Sequence, residues 1–189
     1  MGVRRAVDEA KKTFGEGVYI LGEIIHNETV TDEIKKLGTK IVDSLDEIDG
    51  GTVIIRSHGV GKGVYEEFEK KGVKVIDCTC PYVLKIHDIV KKYHAMGYKI
   101  VITGEKTHPE VEGINGWCEN SAVVIDEDYE SVELDSEDKV CLVSQTTYSE
   151  AQFKKILEFF SKKSLKTLEV FKTICYTTRE RQEEAEILS

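Results

Sequence analysis

The sequence predicts an α/β protein made of two similar units with mainly parallel sheets, followed by the beginning of a third unit. Three observations carry that expectation. The string G-E-x-x-H-x-E occurs twice, as Gly22-Glu23-Ile24-Ile25-His26-Asn27-Glu28 and as Gly104-Glu105-Lys106-Thr107-His108-Pro109-Glu110. Each copy follows an apolar strand-like run and precedes a helix-like one, which is the mark of an internal repeat. Helical and strand periodicities also alternate along the chain, as they do when helices cover a parallel sheet.

The elements follow in order. Val3, Val7, Ala10 and Phe14 keep helical spacing, and Gly15 ends the run. A strand is expected over residues 18–21, then the first motif, then a helix near 29–37. Strands follow at 40–42 and 52–55, a helix over about 61–71, and a strand at 73–76 leading to Cys78-Thr79-Cys80. The order then recurs. Val83, Ile86, Val90 and Tyr93 mark a helix that ends at Gly97, and a strand at 99–102 leads into the second motif and a short helix from Pro109. Strands are expected at 122–125 and 140–143. Ser149 with Gln152 makes a capping box for a helix carrying Phe153, Ile156, Leu157 and Phe160. A strand at 167–170 leads to Cys175, after which Thr177 and Glu180 cap a third copy of the opening helix. The expected domains are residues 1–80, 81–171 and 172–189.

Composition narrows the function. The chain has 189 residues, 40% hydrophobic and 32% charged, as a soluble globular protein has. A net charge of −9 argues against a nucleic-acid groove, which needs a basic face. No apolar run approaches the roughly 20 residues of a membrane span, and no signal-peptide core opens the chain, so the expected location is the cytoplasm. Five cysteines are an odd number for such a compartment, where disulfides are rare. Cys141 lies in the core-strand run Val140-Cys141-Leu142-Val143, and Cys118 ends a helix-like run; both read as buried and inert.

Ligands of parallel sheets bind outside the carboxyl ends of the strands, and there the two units place capable side chains in matching order. After the first strand of each come His26 and His108. After the third come His58, in Arg56-Ser57-His58-Gly59-Val60-Gly61, and Thr146, in Ser144-Gln145-Thr146-Thr147. After the fourth come Cys80 and Cys175. The chain's two prolines, Pro81 and Pro109, directly follow Cys80 and His108 and favour helix starts there. Thiolates or phosphates are stabilised at such ends. A single histidine after a strand is ordinarily a loop residue or a cap; the repeated register argues for a site. Glu110 either complements its helix start or, beside His108 and a cysteine-bound metal, relays protons. Gly59-Val60-Gly61-Lys62-Gly63 fits neither dinucleotide-binding nor Walker spacing and reads as a turn. The repeat spacing would set a further cysteine directly before Met1. Three cysteines around a pseudo-threefold axis would hold an iron–sulfur cluster with one iron left free for catalysis.

These residues resemble those of the 4-hydroxy-3-methylbut-2-enyl diphosphate reductase family. The matching stretches are Gly2-Val3-Arg4-Arg5-Ala6, Ile25-His26-Asn27, Ser57-His58-Gly59-Val60, residues 77–82, residues 108–113, Gln145-Thr146-Thr147, and residues 174–178 with Arg181-Gln182. The resemblance implies a trefoil of three α/β domains around a [4Fe–4S] cluster, with Cys80 and Cys175 as two of its three ligands. It implies that His26, His58, His108 and Thr146 line the substrate pocket, the histidines serving the diphosphate, and that Glu110 delivers protons. The implied reaction removes an allylic hydroxyl with two electrons to give isopentenyl and dimethylallyl diphosphate, using reduced ferredoxin or flavodoxin.

Two departures from the family pattern stand out. The family's first cysteine is absent from the sequence, and so is its third domain beyond the first helix. The expectation is a truncated chain that cannot turn over alone. Two other readings stay open on the residues: an iron-free α/β protein binding a small ligand through the histidines, and a structural zinc module.

Overall fold

The computed structural model describes residues 8, 11–13, 15–22 and 28–188. His26 and most of the expected opening helix lie outside the described residues. The chain divides into two compact units, Met1–Leu84 and Lys85–Ser189.

In the first unit, β1 (Val18–Leu21), β2 (Lys40–Val42), β3 (Thr52–Ile55) and β4 (Lys74–Asp77) form one sheet in the order β2-β1-β3-β4, with every described pairing parallel. Helices α1 (Glu28–Lys36) and α2 (Lys62–Lys71) connect the strands. Period-two alternation splits the apolar side chains between the two faces of the sheet. Val18, Ile20 and Ile54 pack with Ile34 of α1, whereas Tyr19, Val53 and Ile55 pack with Phe68 of α2. Strands buried on both faces read as continuous apolar runs, as these do.

The second unit repeats the plan. Its strands β5 (Lys99–Thr103), β6 (Val123–Ile125), β7 (Lys139–Ser144) and β8 (Thr167–Val170) pair in parallel in the order β6-β5-β7-β8. Helix α3 (Pro81–Ala95) follows Cys80, α4 (Pro109–Asn115) follows β5, α5 (Glu150–Ser161) follows β7, and α6 (Tyr176–Leu188) closes the described chain. Ile86 and Val90 of α3 and Val111 and Ile114 of α4 cover one face with Ile100, Ile102, Cys141 and Val143. Phe153, Ile156 and Phe160 of α5 cover the other with Val101, Val140 and Leu142. The strands at residues 18–21, 40–42, 52–55 and 167–170 coincide with the sequence reading, and the other expected strands differ by one residue at one end or both.

The strand order locates the crevice. From β1 the chain turns toward one edge, to β2; from β3 it turns toward the other, to β4. Connections that leave neighbouring strands in opposite directions open a gap at their carboxyl ends, where ligands of open α/β sheets bind. In the first unit that gap is flanked by Gly22 and the segment after β3; in the second, by the segments after β5 and β7.

Candidate functional site

Matching hydrogen bonds frame both crevices. Gly22 N–H donates to the Val42 carbonyl at 2.8 Å, and Gly104 N–H to the Ile125 carbonyl at 2.9 Å. Both glycines leave space for the residue that follows the neighbouring central strand. A Cβ on Gly22 would lie 2.5 Å from the Arg56 guanidinium, and one on Gly104 would lie 2.9 Å from Gln145 Oε1. Gln145 uses that space to hold two loops, accepting from Glu105 N–H at 3.1 Å and donating to Thr147 Oγ1 at 2.8 Å.

Glu110 lies in the second crevice at 2% exposure. Its Oε1 accepts from Thr146 N–H at 2.6 Å, and its Oε2 accepts from the Thr146 hydroxyl at 2.7 Å. Burial pushes the carboxyl pKa up, and the two bonds from Thr146 only partly offset this. A carboxylic acid placed this way holds its proton nearer neutral pH. His108 caps α4, its Nδ1 accepting from Glu110 N–H at 3.1 Å. An Nδ1 that accepts leaves Nε2 as the proton-bearing nitrogen of a neutral ring. The helix-start N–H of Glu110 is thus taken by the imidazole itself and not left for an anion.

In the first unit His58 is partly exposed, in a tight turn where Gly59 N–H donates to the Arg56 carbonyl at 3.1 Å. Gly59 adopts φ +70°, the left-handed region that glycine enters without strain. The sequence register set His58 level with Thr146. Strand pairing corrects this by one residue: Leu21 lies beside Ile55 and Thr103 beside Ser144, so Ser57 is the counterpart of Thr146.

The cysteines confirm that alignment. Cys80 N–H donates to the Ser57 carbonyl at 3.0 Å, and Cys175 N–H to the Thr146 carbonyl at 2.9 Å. Both thiols are partly exposed, whereas Cys78, Cys118 and Cys141 are buried. Burial raises the Cys118 thiol pKa and pushes that of Cys141 up to about 12, so both are inert as the sequence suggested. Burial also pushes the Cys175 thiol up, but hydrogen bonds from Thr178 and Thr177 outweigh it and bring the pKa below the ordinary thiol value. Its Sγ lies 3.5 Å from Thr178 Oγ1. Helix α6 begins at Tyr176, with Thr178 and Arg179 N–H donating to the Cys175 carbonyl, so the cysteine itself opens the helix that Thr177 was expected to cap.

Asp77 ends β4 and holds the turn that leads to Cys80. Its Oδ1 accepts from Thr79 N–H and from the Thr79 hydroxyl, and its Oδ2 accepts from Tyr65 OH at 2.8 Å. The turn carrying Cys80 is thereby fastened to α2. An Asp two residues before a Thr is the local signal for such a turn. Among the described residues no three His, Cys, Asp or Glu side chains gather as a metal site, and no helix is long and apolar enough to cross a membrane.

Known proteins similar to this chain in sequence and in fold agree with one another. The chain is 45% identical over 195 residues to 4-hydroxy-3-methylbut-2-enyl diphosphate reductase of Thermoanaerobacter sp. (strain X514), matching all of this chain and 67% of the relative. It is 43% identical to the protein of that name from Clostridioides difficile (strain 630), covering 69% of it. The structure of the E-1-hydroxy-2-methyl-but-2-enyl-4-diphosphate reductase from Plasmodium falciparum superposes with TM-score 0.88 at 29% identity, over 96% of this chain and 59% of that one. A solved (E)-4-hydroxy-3-methyl-but-2-enyl diphosphate reductase, described as the terminal enzyme of the non-mevalonate pathway, superposes at 0.82 with 38% identity, over all of this chain and 69% of that one. The chain therefore spans about two thirds of the curated relatives' length. The profile of the LytB protein family matches residues 1–189, and the chain belongs to that family.

Proposed function

We propose that this chain takes part in the reductive removal of the allylic hydroxyl of 4-hydroxy-3-methylbut-2-enyl diphosphate, giving isopentenyl and dimethylallyl diphosphate in the cytoplasm. The C–O bond breaks and two electrons enter the carbon skeleton. One proton leaves in water, and a second adds to carbon. Reduced ferredoxin or flavodoxin supplies the electrons.

The observation that carries this reading is the Glu110–Thr146 pair. A buried carboxyl with raised proton affinity, held by two donors of one residue at a crevice of parallel strands, is suited to general acid work. Thr146 holds the acid with its own N–H and hydroxyl, and a role for that hydroxyl at the leaving oxygen is part of this proposal. His108 and, in the first unit, His58 and His26 are assigned to diphosphate binding by the family resemblance.

The cysteines fit a [4Fe–4S] cluster by donor chemistry. Cys80 and Cys175 are the two partly exposed thiols, and Thr177 and Thr178 favour the Cys175 thiolate, the form that binds iron. When bound, such a cluster supplies the electrons and an open iron for the substrate hydroxyl. The family resemblance implies a third thiolate ligand, which a small external thiol can supply in a test of these two. Anaerobic reconstitution with ferrous iron, sulfide and a small thiol to complete the ligands tests the assignment. We expect a broad visible absorption that Cys80→Ser and Cys175→Ser each abolish. Absorption that survives both substitutions, or zinc without iron or sulfide in metal analysis, rules the cluster out.

A further inference from the structure

We infer that Gln182 is a positioning residue for Cys175. Its side-chain amide spans the start of α5, with Oε1 accepting from Glu150 N–H at 3.0 Å and Nε2 donating to the Tyr148 carbonyl at 3.1 Å. Both partners are backbone groups on either side of Ser149, whose hydroxyl caps α5 by accepting from Gln152 N–H. Gln182 lies in α6, seven residues or close to two helical turns beyond Cys175, the residue that opens the helix, so it falls on the side of the helix axis that Cys175 begins. That face meets the segment after β7 at two heights: Cys175 N–H reaches the Thr146 carbonyl, and Gln182 reaches Tyr148 and Glu150. One attachment alone would let the helix pivot about Cys175. Two fix its rotation, and with it the direction of the thiol.

The consequence reaches the acid as well. Thr146 gives its N–H and hydroxyl to Glu110 and its carbonyl to Cys175. By bracing the same segment two residues further on, Gln182 keeps the thiol and the carboxyl in register. The first unit uses other parts for its cysteine, the Asp77 carboxylate with Tyr65 and Thr79, so the Gln182 brace belongs to the second unit.

The functional meaning of the brace rests on Cys175 being a ligand, but its test needs no iron, so either idea can fail without the other. Amide hydrogen exchange resolved by residue is measured on the metal-free chain for Gln182→Met and Gln182→Glu. Methionine keeps the length and loses both bonds; glutamate keeps the acceptor and loses the donor. Two neutral hydrogen bonds predict that the Cys175 amide exchanges about tenfold faster in Gln182→Met, with Gln182→Glu between it and the parent. The Cys80 amide, bonded to Ser57 in the other unit, stays at its parental rate. Unchanged Cys175 protection in both variants overturns the inference. So does faster exchange confined to the first turn of α5, which would make Gln182 a cap for α5 alone. An equal loss at Cys80 and Cys175 would mean general destabilisation and would overturn it too.

Discussion

The two units have the same sheet order, the same glycine-to-edge-strand bond and the same backbone bond holding a cysteine, yet they differ in the side chains placed on that frame. The first presents Arg56, Ser57 and His58 and secures its cysteine turn with a carboxylate. The second presents Gln145 and Thr146, buries a carboxyl against the threonine and secures its cysteine with an amide. The backbone geometry is repeated in the two units, while the side chains at the strand ends differ. A parallel sheet permits this, because its core is fixed by apolar residues on the two faces and the loops at the carboxyl ends carry little of the packing.

The sharpest way to separate the units is at Gly51, just before β3. It adopts φ +81°, and a Cβ there would run into the Gly17 carbonyl oxygen. Gly51→Ala should cost about 3 kcal/mol or more, since neither left-handed strain nor a backbone collision can be relieved by a rotamer. Hydrogen exchange should rise across β1–β4 and stay near parental values in β5–β8. An equal rise in both sheets would mean that the units do not hold their stability separately.

Next in size is Glu110. Glu110→Ala leaves the Thr146 N–H and hydroxyl buried without acceptors and should cost about 2–3 kcal/mol. Glu110→Gln keeps an acceptor for the N–H and should cost about 1 kcal/mol or less. The two also differ from the parent in pH dependence. A carboxyl that holds its proton more tightly folded than unfolded adds stability that is complete below the ordinary carboxyl pKa, and that stability fades as pH rises through the raised folded value. Urea unfolding of the second unit across that range should show this decline in the parent and not in Glu110→Gln.

The smallest effect is at Thr178. Removing its hydroxyl in Thr178→Val takes away a hydrogen bond that favours the Cys175 thiolate. The pH profile of Cys175 alkylation in the metal-free chain should move upward while that of Cys80 stays in place. A common shift of both profiles would point to a change unrelated to this bond.

Much of this molecule could be read from residue order. Val18-Tyr19-Ile20-Leu21 and Thr52-Val53-Ile54-Ile55 announce strands because side-chain period and β-branching act locally, and the doubled G-E-x-x-H-x-E announces the repeat. Cys141 could be assigned to the core from its apolar neighbours alone, and the partly exposed Cys80 and Cys175 could be singled out by their place after matching strands. The one-residue error between His58 and Thr146 had a local cause. The sequence aligns motifs by kind of residue, whereas the sheet aligns them by hydrogen-bonded register, which puts Ser57 level with Thr146.

Tertiary structure alone decided what each polar side chain does. Glu110 and Thr146 are 36 residues apart, Gln145 and Glu105 are 40 apart, and Gln182 reaches back 32 and 34 residues to Glu150 and Tyr148. No periodicity connects such positions. The burial that raises the Glu110 pKa, the bonds from Thr178 and Thr177 that lower that of Cys175, and the bracing of α6 all arise only once parallel pairing has brought the ends of β5 and β7 together. Local chemistry wrote the strands and helices into the chain; proton affinity and side-chain direction are properties of the folded surroundings.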